Sequence, residues 1–221
     1  MNKSPALDDA ASKHRILMPR RIFLLSPANT GGERARIVLN ERAQFDLAVQ
    51  LRQEGAPLGD VYAFVSGLYF RGKLAYVRAF AAPPDGLPAC FVITPGRGLV
   101  PPETQVTIED LREIAAVPIE VDDPRYRDPL ERDALLLNEN AGRDCEYVLL
   151  GSLATPKYLG PLLKIFGERL LFPAEFVGRG DMSRGGLMLR CAEEGHELTY
   201  APAHNTMRHG SRPAKLPKRV W

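Results

Sequence analysis

Three stretches of this 221-residue chain collect side chains that could handle a nucleic acid and its bases. The first, Ser26-Pro27-Ala28-Asn29-Thr30-Gly31-Gly32, follows a short apolar run. Its Asn29 amide offers both a donor and an acceptor to a water molecule or a base edge, and Ser26 and Thr30 add hydroxyls. The second, Ser66-Gly67-Leu68-Tyr69-Phe70-Arg71-Gly72-Lys73, sets two aromatics beside two cations, as a stacked base next to a phosphate would need. The third runs Gly178-Arg179-Gly180-Asp181-Met182-Ser183-Arg184-Gly185-Gly186. Its glycines permit close approach, Arg179 and Arg184 are cations for a phosphate backbone, Ser183 is a donor, and Asp181 supplies a carboxylate. Arg97 and the pair Asp122-Asp123 stand in further turns. Each set also has an ordinary use, because Asn, Ser and Thr cap helices, aromatics at a helix start fill cores, and turn charges are solvated.

The elements that must position these residues follow from hydrophobic period and turn signals. Arg21–Leu25 and Ala89–Thr94 are apolar runs that end in turn formers, Ser26–Gly32 and Pro95–Gly98, so both are expected as buried strands feeding polar loops. Tyr147–Leu150, running into Gly151-Ser152, and Glu168–Phe172 are two more. Between them, helices are expected from Asn40 to about Glu54, over Phe70–Phe80, after Thr107 with Asp110 as a capping box, after Asp128 with Pro129 at the first position, and from Thr155-Pro156 to Gly167. Gly178–Gly186 is expected as a loop. Strands alternating with helices predict an α/β fold, a single three-layer domain with a mostly parallel central sheet. In such sheets ligands bind beyond the carboxyl ends of the strands, where Ser26–Gly32, Pro95–Gly98 and Gly178–Gly186 should converge.

Composition narrows the classes. Apolar and charged fractions of 45% and 25% are those of an ordinary globular chain, so one core without a stapling framework is expected. Cys90, Cys145 and Cys191 lack metal-site spacing, and the sparse histidines lie outside the apolar core runs, so no metal and no cofactor is expected. No apolar stretch is long enough to span a bilayer and no signal-like segment opens the chain, giving an expectation of no membrane partner and a cytoplasmic location. Residues 1–20 read as a flexible arm, 21–203 as the domain and 204–221 as a basic tail. From Met207 to Trp221 the tail carries Arg208, Arg212, Lys215, Lys218 and Arg219 and no acid, against a net charge of only +2 for the whole chain.

The order of the motifs resembles a known family. Leu24-Leu25-Ser26-Pro27-Ala28-Asn29-Thr30 resembles the L-I-S-P-A-K-T opening of the YaaA-like peroxide-stress proteins, and Gly178-Arg179-Gly180-Asp181-Met182-Ser183-Arg184 resembles their late A-R-G-L-M-S-R segment. The block Val92–Thr104 is similar to their G-L-V-x-P turn. The resemblance covers roughly residues 21–200 and implies the uracil-DNA-glycosylase-like fold. Tyr147–Arg184 is similar to that superfamily's end: strand, L-L-G-S-x-A, helix, strand, then a DNA-contacting loop. There the loop after the first strand places a carboxylate or asparagine beside the attacking water, the role that Asn29 matches. Two departures stand out. Asn29 replaces the lysine of the YaaA-like motif, and the late segment lacks the histidine that stabilises a departing base, leaving Arg179, Arg184 or backbone N–H groups for that task.

The resemblance implies DNA as partner and a DNA glycosylase that flips out a damaged or modified base, such as one carried by foreign phage DNA, and hydrolyses its N-glycosidic bond. On that reading Asn29, Asp122 and Asp181 are catalytic. Ser26, Thr30, Tyr69, Phe70 and Arg97 line the base pocket, and Arg71, Lys73, Arg179, Met182, Ser183 and Arg184 bind DNA. The alternatives are a non-catalytic YaaA-like DNA-binding stress protein and a hydrolase of free nucleosides.

Overall fold

The computed structural model describes residues 19–152, 156–205, 210–214 and 216. The expected N-terminal arm falls almost wholly outside this range. The expected first strand is present as β1 (Arg20–Leu25), whose residues from Arg21 onward are all buried. It is followed by α1 (Glu33–Val38), α2 (Asp46–Gln53), β2 (Ala56–Pro57), α3 (Leu58–Ser66) and α4 (Leu68–Phe80). Next come β3 (Cys90–Thr94), β4 (Gly98–Val100), β5 (Gln105–Val106), α5 (Ile108–Ala116) and α6 (Pro124–Asn140). The chain then forms β6 (Cys145–Leu150), α7 (Pro156–Phe166), β7 (Leu170–Pro173), α8 (Asp181–Glu194) and β8 (Tyr200–Pro202).

The main sheet has strand order β4-β3-β1-β6-β7-β8. Its four central strands are parallel, and the edge strands β4 and β8 are antiparallel to their neighbours. This is an α/β fold with a six-stranded, mostly parallel sheet. Alternation along β1 shows why both faces are apolar. The Phe23 ring meets Tyr76 of α4 edge-on at 5.8 Å. Ile22, one residue earlier, is in register with Tyr147, which stacks on Phe166 of α7 at 3.8 Å on the other face. Strand order reverses direction at β1, with β3 on one side and β6 on the other, so a crevice opens between the carboxyl ends of β1 and β6.

Several local expectations change. Asn40 does not cap a helix; its side-chain oxygen accepts the Arg42 N–H in a turn, and α2 begins at Asp46. The helix expected after Asp128 begins earlier, at Pro124 behind the Asp123 cap, so Pro129 lies inside it. The Thr107–Asp110 capping box forms as expected. The largest change concerns Gly178–Gly186, which is not a loop throughout: from Asp181 it is the opening of α8.

Gly185 within it serves packing. α4 and α8 cross so closely that a Cβ on Gly185 would lie 2.7 Å from the Leu68 carbonyl oxygen and the Tyr69 Cα, while one on Gly72 would lie 2.6 Å from the Gly185 carbonyl oxygen. The obstacles are backbone, which cannot rotate away. Gly185→Ala is expected to lower stability by about 2 kcal/mol or more through overpacking. Gly160→Ala, at a helical position with nothing within 4 Å, is expected to be neutral or to stabilise by up to ~1 kcal/mol. Urea unfolding of the two variants beside the unsubstituted chain checks this, and equal midpoints would contradict the close crossing.

Candidate functional site

The crevice holds a cavity of about 370 Å³ lined by Ser26, Pro27, Asn29, Ser66, Tyr69, Ser152, Lys157, Tyr158 and Asp181. Each group is delivered by an element end. Ser26, Pro27 and Asn29 leave the carboxyl end of β1, and Ser152 leaves that of β6. Lys157 and Tyr158 come from the first turn of α7, Tyr69 from α4, and Asp181 opens α8, where a carboxylate suits the positive end of the helix dipole. Gly151 lets the two strand ends meet, since a Cβ there would stand 3.1 Å from the Ser26 Cβ.

Beneath Ser26 lies Lys73, which is fully buried. Its ammonium donates to the Ser26 carbonyl oxygen at 2.8 Å and to the Ser26 Oγ at 2.7 Å. It also sits 4.1 Å from the centre of the Tyr69 ring and 5.4 Å from that of Phe70, so ring faces complete its shell. Burial pulls its pKa from the ordinary lysine range down to about 7, with Asp181 opposing that fall and Arg184 adding to it. The Tyr69 and Tyr158 phenols are pushed up to about 12, mainly by burial, and stay neutral donors at ordinary pH. The Tyr69 hydroxyl is buried near Arg184 and Ser26 without a well-formed hydrogen bond. A buried hydroxyl left in that condition at a cavity wall is a position where a ligand could satisfy it.

Of the residues expected at the site, Ser26, Asn29, Tyr69 and Asp181 are brought together. The Asn29 side-chain oxygen already accepts the Gly31 N–H at 3.0 Å, so the amide is held by its own turn. The others are placed differently. Thr30 follows in the turn without lining the cavity, and Phe70 is in the core, edge-on to Tyr62 at 5.4 Å. Arg97 ion-pairs with Asp110 and Glu113 of α5, and Asp122 is exposed in the turn before α6. Arg71 is exposed on α4.

Two expected DNA contacts are corrected by burial. Lys73 cannot present its ammonium to a phosphate from the core. Arg184 is also buried, its guanidinium donating to the Phe176 carbonyl oxygen at 3.1 Å and the Gly151 carbonyl oxygen at 3.3 Å, which ties α8 to the end of β6. Arg179 donates to Ser183 and to the Glu175 carbonyl oxygen, and with exposed Met182 it lines a separate cavity of about 290 Å³ together with Arg212, Pro213, Ala214 and Leu216 of the tail.

The lining residues that were not anticipated are Ser66, Ser152, Lys157 and Tyr158. Ser152 carries the same signal as Ser26, a hydroxyl directly after a buried strand. Lys73 had one too, since with Tyr69, Phe70, Tyr76 and Val77 it falls on the buried stripe of α4 at helical spacing.

Among the described residues no three of His, Cys, Asp and Glu stand close enough to hold a metal ion, and no helix is long and apolar enough to cross a membrane. The cysteines are buried and free, with the Cys90 thiol pushed up to about 12 by burial. Comparison with protein-family models, curated proteins and solved structures yields no match.

The Lys73 shift makes a stability prediction. Above about pH 7 the folded chain holds Lys73 neutral, whereas the unfolded chain keeps it charged up to the ordinary lysine range. The unfolded state therefore binds more protons in that window, so the cost of the buried charge, full below about pH 7, is progressively relieved as pH rises through it. Unfolding free energies of the unsubstituted chain minus those of Lys73→Met should climb between pH 7.5 and 9.5, with a slope approaching ~1.4 kcal/mol per pH unit. Parallel curves would show that Lys73 titrates as it does in water.

Proposed function

We propose that the cavity receives a nucleobase turned out of a DNA strand and that the chain hydrolyses its N-glycosidic bond, on a scaffold of the uracil-DNA-glycosylase-like kind. The observation that carries this reading is the make-up of one small cavity at the strand-order reversal. Two neutral tyrosines, an amide, three serine hydroxyls, a proline, a lysine and a single carboxylate line it, the carboxylate largely exposed. Aromatic faces suit a planar base, and the amide and hydroxyls suit its hydrogen-bonding edges. A substrate of this class must be taken out of its stack, at a cost of a few kcal/mol, before a cavity of this size can reach it.

The chemistry divides between two charges. As the C1′–N bond breaks, the sugar becomes positive and the base negative. Asp181, with its side chain 68% exposed, can accept the proton of the attacking water and face the positive sugar. Asn29, fixed by its turn, orients that water or the base edge. Lys157 at the cavity, Arg71 on α4 and Arg179 in the turn before α8 are cations available to the flanking phosphates.

The test is incubation with duplex and single-stranded DNAs carrying uracil, oxidised, alkylated or glucosylated bases, followed by chromatography of released bases and cleavage at abasic sites. At least one substrate is expected to yield free base and an abasic site. Asp181→Asn and Asn29→Ala should slow release by about 100-fold or more while leaving DNA binding within a few-fold. Binding without release from any of these DNAs would point to the non-catalytic DNA-binding alternative. Turnover of free nucleosides with DNA ignored would move the substrate class.

A further inference from the structure

Ser26 and Lys73 together pose a problem of proton direction. A charged Lys73 donates one N–H to the Ser26 carbonyl oxygen and another to the Ser26 Oγ, at 2.8 and 2.7 Å. The Oγ is then an acceptor, so its own proton must point elsewhere. The protein acceptor it meets is the Leu150 carbonyl oxygen at 3.4 Å, a long contact for an O–H donor. The other direction is the cavity, which Ser26 lines. Gly151 keeps that direction clear, since a Cβ there would lie 3.4 Å from the Oγ.

We propose that Ser26 is the catalytic residue that protonates the departing base, and that Lys73 is a positioning residue that aims the hydroxyl and resupplies its proton. The proposal rests on the glycosidic reading of the cavity and deepens it. The C1′–N bond breaks with both electrons going to the base nitrogen, and the water oxygen bonds to C1′. The base nitrogen takes the Ser26 proton as the Ser26 oxygen takes one from Lys73, and the water's proton goes to Asp181. Lys73 ends neutral and Asp181 protonated, and exchange with solvent restores both. This supplies a leaving-group acid where the late segment has no histidine.

The surroundings fit a lysine that gives up a proton. The Tyr69 and Phe70 rings of α4 and the Arg184 guanidinium and Asp181 carboxylate of α8 face it, with Ser26 at the end of β1. Arg184 is the weaker candidate for donor to the base, because its Nε, Nη1 and Nη2 each already donate to the Phe176 or Gly151 carbonyl oxygen. Burial and Arg184 bring the Lys73 pKa to about 7, against the pull of Asp181. The proton-donating form is therefore lost as pH rises through that value, and base release should fall with it.

The experiment measures base release against pH for the full chain, Ser26→Ala, Lys73→Met and Lys73→Arg, on DNA carrying uracil and on DNA carrying 7-methylguanine. Uracil leaves as an anion that protonation helps; 7-methylguanine already carries its positive charge and leaves neutral. Ser26→Ala is expected to slow uracil release by about 100-fold and 7-methylguanine release by less than about 5-fold. Lys73→Arg keeps a charged donor that aims the hydroxyl but gives up no proton, so it should stay nearly as slow on uracil as Lys73→Met; recovery of the unsubstituted chain's rate by Lys73→Arg would overturn the proton resupply. Thermal melts confirm which variants are folded, and Ser26→Ala, which deletes one oxygen, keeps the test alive if the lysine variants are not. Equal loss on both substrates, or an unchanged uracil rate, would overturn the relay while leaving the glycosidic reading in place. No release of either base by the unsubstituted chain would overturn the relay for these substrates, and the wider base-release survey would then decide the glycosidic reading on its own.

Discussion

A lysine buried in the core, Lys73, constrains this structure more than any other single group. Taking that charge into the core is costly unless acceptors and polarisable faces surround it. Lys73 finds them at one place, the carboxyl end of β1, where the Ser26 carbonyl and hydroxyl oxygens both lie within 2.8 Å. To reach it, α4 must lie close against α8, and the paired glycines Gly72 and Gly185 permit that crossing. The same crossing brings Tyr69, Asp181 and Arg184 around one point. Arg184 then ties α8 back to Gly151, so the ends of β1 and β6 and the opening of α8 are held together. The cavity is what this arrangement leaves open above the lysine.

Much of the framework was legible because its signals are local. Apolar runs ended by turn formers at Arg21–Leu25, Ala89–Thr94 and Tyr147–Leu150 give strands, and the Thr107–Asp110 capping box marks a helix start without help from tertiary contacts. The failures are tertiary. Gly185 and Gly186 resemble a phosphate-binding turn in sequence, yet Gly185 is required by a helix crossing with a partner more than 100 residues away. Lys73 reads as a surface cation because burial of a charge is visible only once its acceptors are known. Its helical spacing with Tyr69, Phe70, Tyr76 and Val77 was the one signal that it faces inward.

At the site the same division holds. Ser26, Asn29, Tyr69 and Asp181 were recoverable from residue type and from the rule that ligands bind beyond strand carboxyl ends. Arg97 was misplaced because its acidic partners Asp110 and Glu113 lie on α5, further along the chain. Lys157 and Tyr158 carry no chemical signature in sequence; they enter because α7 begins where β6 ends.

The proposed nucleobase site is the cavity between Tyr69, Tyr158, Ser26 and Asp181. A crystal structure of the chain soaked with free bases, each in turn, tests it most directly. A base plane is expected against Tyr69 or Tyr158, with the Ser26 hydroxyl within hydrogen-bond distance of a ring nitrogen or exocyclic oxygen. Bases bound only elsewhere, or a cavity that takes none of them at saturating concentration, would contradict it.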